Sequence, residues 1–228
     1  MAAVALAGRT GEVLAGAGDV RELLTRAERD RADALRSAAD RDDFVAAHAL
    51  VRFCAAELLG RPARGLAVVQ SCGRCDRPHG RPRLDRPAGV GVSLAHSRGW
   101  VAAAAAHGPV GIDVEADDGV TPLDRHVAAR ACGPAELSEL AAAADPRRTF
   151  LRQWVRKEAL VKVGEGTLDD VRLLDLPVHR PGPVRRGAWR LTDWSAAEAV
   201  GCVAALEEVG GGGGWGGRPP PPVRGNYG

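Results

Sequence analysis

Apolar residues recur at three- and four-residue spacing from about Val20 to Leu59: Leu23, Leu24, Ala27, then Leu35, then Phe44, Ala47, Leu50, Val51 and Cys54. That period belongs to helices with one buried face. The stretch Asp42–Leu59 predicts a single buried helix, stopped by Gly60 and Pro62. The pattern then changes. Val90–Ala95 and Trp100–Ala106 predict two strands joined by a tight turn at Ser97-Arg98-Gly99. Propensity alone would make the alanines of the second segment helical, but turns bound it too closely for a stable helix. After His107-Gly108-Pro109, Val110–Glu115 predicts a third strand. Helical spacing returns over Thr121–Ala131, Pro134–Ala144 and Arg147–Val163. Asp145 and Pro146 are suited to cap and start the last of these, and Gly164 and Gly166 to stop it. Val171–Leu174, Trp189–Asp193 and Val200–Leu206 predict strands.

The remaining segments are poorer in pattern. Residues 1–18 are small and Gly-rich and read as loosely ordered, and Ser71–Gly91 reads as a loop rich in Cys, Arg, Pro and Gly. The Gly- and Pro-rich composition of residues 209–228 cannot build a core and predicts a disordered tail. Helices followed by antiparallel strands therefore occur twice, with a seam near His107–Pro109. The expectation is an α/β fold of the α+β type, in two similar halves: residues 1–107, residues 108–208, then the tail.

Composition narrows the function classes. The 228 residues are 45% hydrophobic, enough for real cores, and the formal net charge of +2 makes no demand for nucleic acid. The arginines of residues 21–41 alternate with Asp and Glu, which describes a solvated face better than an RNA-binding one. No run of about 18 apolar residues suggests a membrane span, and the N-terminus lacks the basic segment of a signal peptide. Five cysteines fit a reducing compartment, so a cytoplasmic protein is expected. Arginine greatly outnumbers lysine, which reads as coding bias.

Candidate chemistry begins with Val110-Gly111-Ile112-Asp113-Val114-Glu115. On a strand, alternate residues share a face. Val110, Ile112 and Val114 point to a core, and Asp113 and Glu115 lie together on the other side. Two such carboxylates suit a solvated strand end or a hard cation, and Mg²⁺ takes one or two carboxylates with substrate phosphates. The helix Trp154-Val155-Arg156-Lys157-Glu158-Ala159-Leu160-Val161-Lys162 puts Trp154, Glu158 and Lys162 on one stripe. An ordinary surface ion pair is one reading of Glu158 and Lys162; a partly buried functional pair is the other. His96, in Val92-Ser93-Leu94-Ala95-His96-Ser97, sits at an exposed corner between serines where phosphate contact is conceivable. Cys72, Cys75 and His79 raise a zinc reading, but a closed structural site needs four ligands.

In this order, with Glu158 following Asp113 by 45 positions and His79-Gly80-Arg81-Pro82-Arg83-Leu84 upstream, these elements resemble the 4′-phosphopantetheinyl transferase superfamily. The similarity is to its compact, single-chain, pseudo-dimeric, surfactin-synthetase-activating type. It runs from roughly Arg26 to Leu206. The resemblance implies transfer of phosphopantetheine from coenzyme A to a serine of an apo acyl or peptidyl carrier protein, in a cleft between the halves. It implies Asp113, Glu115 and Glu158 as Mg²⁺ ligands, and Glu158, Lys162 and His96 as catalytic groups. It places Arg81, His96, Lys157 and Lys162 on coenzyme A, with Arg31 and Arg41 as candidates for its 3′-phosphate. A monomer without nucleic-acid or membrane partners is expected. The chain departs from the family pattern at Val155, where a small hydroxylated residue is usual. The Ala159–Lys162 spacing is one residue short, and Ala131-Cys132 stand where relatives carry an aromatic pair. Two rivals stay open: a silent relative that only binds coenzyme A or a carrier, and a zinc-knuckle nucleic-acid module.

Overall fold

The computed structural model describes residues 3–70, 75, 80–178 and 183–206. In chain order the elements are β1 (Val4–Arg9), α1 (Thr10–Gly16), α2 (Arg26–Asp33), α3 (Ala38–Leu59), β2 (Val68–Gln70), β3 (Pro82–Leu84), β4 (Val90–Ser97), β5 (Trp100–His107), β6 (Val110–Ala116), α4 (Arg125–Ala131), α5 (Pro134–Ala142), α6 (Pro146–Val163), β7 (Val184–Arg186), β8 (Trp189–Ala196) and β9 (Ala199–Leu206). Two antiparallel sheets result, in the orders β1-β5-β4-β3-β2 and β6-β9-β8-β7.

Both sheets are wound alike. Each opens with a strand that pairs with the last strand of its half, β1 with β5 and β6 with β9, and each has a long helix between. Both long helices end on a left-handed glycine, Gly60 at φ 60° and Gly164 at φ 102°, because glycine reaches that conformation without a Cβ penalty. The α+β fold of two helix-and-sheet halves is as expected.

Three apolar clusters fix the layers. Phe44, Leu50 and Phe53 of α3 pack on Leu6, Val101 and Ala103 of the first sheet. Ala5, Ala7, Ala102 and Ala104 on its other face meet Ile112, Val114, Trp194 and Val203 of the second sheet. Val155, Ala159 and Leu160 of α6 cover Leu191, Val200 and Cys202. The order is helix, sheet, sheet, helix. Strand β5 lies under α3 on one side and the second sheet on the other. Its alanine run is therefore buried on both faces, which overrides helix propensity.

Several expectations need correction. Residues 4–9 are not loose: they form β1, with Ala5, Leu6 and Ala7 buried, because side chains this small fit between two sheets. Val171–Leu173 is a 3₁₀ turn rather than a strand, with Val171 buried in the cluster under α6. Strands β2, β3 and β7 have three residues each, too few to display an alternating pattern. Residues 209–228, Cys72 and His79 lie outside the described residues, and Cys75 is exposed. Among the described residues no helix is long and apolar enough to cross a membrane.

Candidate active site

Helix α6 sits unusually low on strand β6. A Cβ on Gly111 would stand 2.1 Å from the carbonyl oxygen of Ala159, closer than any real contact, so only glycine admits this approach. The helix is held in place from its start, where the Asp145 carboxylate accepts the backbone N–H of Arg148 at 2.9 Å. One residue before the contact and three after it, Glu158 and Lys162 reach over the strand that carries Asp113 and Glu115.

The groups that meet there are strongly coupled. Lys162 Nζ donates to Asp113 Oδ1 at 2.7 Å and to the Ile112 carbonyl at 2.9 Å, with Leu94 O further off at 3.4 Å. Asp113 is buried, and among the described residues its second oxygen, Oδ2, has no hydrogen-bond partner. Glu115 Oε2 accepts the Ser97 hydroxyl at 2.7 Å. Burial pushes the Glu158 carboxyl up to about 7; the negative charges of Asp113 and Glu115 add to this and Lys162 opposes it. Burial also raises Glu115, with the Asp113 charge adding and the Ser97 hydrogen bond opposing. Asp113 is raised by burial against the pull of Lys162. Three carboxylates from β6 and α6 thus share one electrostatic site. They do not yet form a cage, since among the described residues no three acidic, His or Cys side chains converge closely enough to hold an ion.

The first half supplies neighbours. His96, exposed at the end of β4, is close enough to act electrostatically on Asp113. Arg81 crosses to the end of α6, where Nη2 donates to the Val161 carbonyl at 2.9 Å. Arg31 stands further along the same surface. It donates to Gln70 Oε1 at 3.2 Å, and Gln70 donates to the Gly80 carbonyl at 2.9 Å, beside Arg81. Arg31 also lies 5.3 Å over the Phe44 ring and lines a 190 Å³ cavity with Thr25, Glu28 and Val68. Arg41 is engaged elsewhere, donating to the Leu35 carbonyl at 3.0 Å.

Lys157 is a correction. Its side chain is fully buried on a different face of α6, with Nζ 2.6 Å from Glu136 Oε2 and 2.8 Å from the Ala131 carbonyl. It is a core counter-ion and not a coenzyme A contact. The adjacent position in the sequence turns it through about 100° of helix, away from Glu158.

The serines beside His96 do something the sequence reading missed. Strand β6 is an edge of its sheet, and β4 runs alongside it without a backbone ladder. Ile112 N donates to Ser93 Oγ at 3.1 Å and Ala116 N to Ser97 Oγ at 3.3 Å. Hydroxyls four residues apart on β4 thereby satisfy N–H groups four residues apart on β6, as buried donors require. The equal spacing was the available signal.

Residues 109–204, which span β6 to β9 with all three helices of the second half, match the 4′-phosphopantetheinyl transferase superfamily. No curated protein matches the chain.

Proposed function

From the match of residues 109–204 to the 4′-phosphopantetheinyl transferase superfamily, we propose that the chain moves phosphopantetheine from coenzyme A to a carrier-protein serine, releasing 3′,5′-ADP. The observation that carries this reading is the coupling of Asp113, Glu115 and Glu158 across the α6–β6 contact, with Lys162 among them.

The donor set suits a hard divalent cation. It is all carboxylate oxygen, and Asp113 Oδ2 is a buried acceptor with no hydrogen-bond partner among the described residues. Asp113, Glu115 and Glu158 would hold Mg²⁺, which when bound neutralises charge on diphosphate oxygens. The side chains of the chain then divide the work. Lys162 and His96 offer donors to the phosphates, and the negative charge that builds on the phosphoryl and leaving oxygens is stabilised by them. Glu158, held ionised at neutral pH by the cation, is the group placed to accept the serine proton, directly or through a water. Arg81 and Arg31, on the surface leading away from α6, suit the nucleotide end. In this division residues 1–107 position coenzyme A and residues 108–208 carry the carboxylates. Arg41, tied to Leu35, contributes less directly. A reducing cytoplasm fits the free thiols of Cys54, Cys132 and Cys202.

An apo acyl or peptidyl carrier protein incubated with enzyme, coenzyme A and Mg²⁺ should gain the mass of one phosphopantetheine. No gain across a panel of fatty-acid, polyketide and peptide carriers would favour a silent binding relative. Asp113→Ala and Glu158→Ala should each lower transfer at least about 10²-fold, the scale of losing a group that stabilises transition-state charge, while circular dichroism stays native. Full activity in either variant would remove that residue from the site.

A further inference from the structure

The chain holds 31 Lys+Arg, of which two are lysines, and both stand in the same helix: Lys157 and Lys162. A sequence that uses arginine everywhere else keeps a compact ammonium at these two positions. Lys157 is explained by its sealed contact with Glu136. Lys162 is different, because its side chain is partly exposed, at 26%.

The ammonium of Lys162 is bound as a metal ion would be. It takes three oxygens, Asp113 Oδ1, Ile112 O and Leu94 O, two of them backbone carbonyls. Around it, among the described residues, no three acidic, His or Cys side chains converge closely enough to hold an ion. The other oxygen of the same aspartate is buried without a hydrogen-bond partner among those residues. An ammonium and a divalent ion on the two oxygens of one carboxylate repel each other strongly where water is scarce. A guanidinium, planar and spread over several donors, is not equivalent to the compact point charge of an ammonium at such a site.

We infer that Lys162 is a placeholder cation: it holds the acidic site together while no divalent ion is bound, and leaves Asp113 when one enters, freeing its ammonium for the diphosphate. This rests on the metal reading given above, and the two can be told apart. In this two-lysine protein, lysine-selective ¹⁵N labelling gives two side-chain amine resonances. Titrating Mg²⁺ into the full chain should shift the Lys162 resonance and leave that of Lys157 in place. Mg²⁺ that binds by calorimetry while the Lys162 resonance stays still would overturn the inference and leave the metal site standing. Failure of Mg²⁺ to bind at all would overturn both.

A variant provides an independent reading. Lys162→Met keeps the aliphatic stem and removes the charge. Without coenzyme A it should bind Mg²⁺ about tenfold tighter than the natural protein, since a competing cation is gone. With Mg²⁺ saturating, it should bind coenzyme A more weakly. Equal or weaker Mg²⁺ binding by the folded variant would sink the placeholder role. The resonance experiment decides the matter on the unaltered protein should the variant not fold.

Discussion

Glu158 sits in a site that resists its charge, and folding must carry that penalty. Its carboxyl is raised from an ordinary 4.5 to about 7, first by burial and then by Asp113. A raised acid pKa means the folded state holds its proton after the unfolded state has lost it. The stability this contributes is complete below about pH 4.5, declines as pH rises towards 7, and is gone above that. Chelator-treated protein should therefore lose stability across that window, and Glu158→Gln should remove this part of the slope and be more stable at pH 8. Denaturant titrations at several pH values check this; an unchanged slope in the variant would mean the carboxylate is not confined as described. The same burial that weakens the metal-free fold keeps a carboxylate ready for a cation. Stability and chemistry draw on one side chain in opposite directions.

Each half anchors its long helix with a glutamate that also caps a shorter one. Glu28 closes the capping box of α2 with Thr25 and, buried, takes two hydrogen bonds from Arg52 of α3, at 2.6 and 3.0 Å. Glu136 accepts the Gly133 N–H at the start of α5 and receives Lys157 and Gln153 of α6. Burial would raise the Glu28 carboxyl, but the bonds from His48 and Arg52 override it and bring it down to about 2. His48 is lowered by its own burial, so it serves Glu28 as a neutral ring donating its Nδ1–H. Glu28→Gln would leave the Arg52 charge buried without its counter-ion, at a cost of about 3 kcal/mol or more. Glu22→Gln, which loosens the exposed Arg64–Glu22 pair, should change stability by less than about 1 kcal/mol. Equal effects in denaturant melts would contradict the buried anchor.

These anchors also show what could be read in the sequence. Elements of seven residues or more with clear caps or turns were legible: α6 between Asp145 and Gly164, β4 and β5 around Arg98-Gly99, and β6 with its alternating carboxylates. Spacing put Asp113 with Glu115 on one strand face and Glu158 with Lys162 on one helix stripe, but it left solvated readings open; only the family resemblance joined the two as one site. Strand β1 was not, because alanine and glycine signal a loose segment unless a second sheet is known to lie above them. Lys157 was misplaced because motif proximity to Glu158 concealed a rotation to a different face. Arg31 and Arg41 differ through contacts with Gln70 and Leu35 that no local pattern encodes.

The duplication extends to the positions of the site. Counted from the hairpin tips, Leu6 of β1 occupies the place of Asp113 and Gly8 that of Glu115. Counted back from the closing glycines, Cys54 stands for Glu158 and Leu58 for Lys162. The first half therefore repeats the winding with apolar residues where the second carries charge, and Cys54 spends its thiol on the Ala103 carbonyl. The halves share the alanine-lined layer between the sheets, so neither can expose that face alone without losing much of its burial. Heating should give one cooperative transition with matching far-ultraviolet and tryptophan signals. Two separated transitions would show that the layer between the sheets is not a common core.

The hydroxyl seam between β4 and β6 has one more implication. A strand with an unclaimed border can template a foreign strand, and proteins commonly guard such borders with charge, proline or a covering loop. Here Ser93 and Ser97 occupy two of the donors on that border without sealing it as a backbone ladder would. The acidic strand can thus stay at the rim, reachable by a small charged visitor, while offering little purchase to another chain seeking to stack and grow into a fibril.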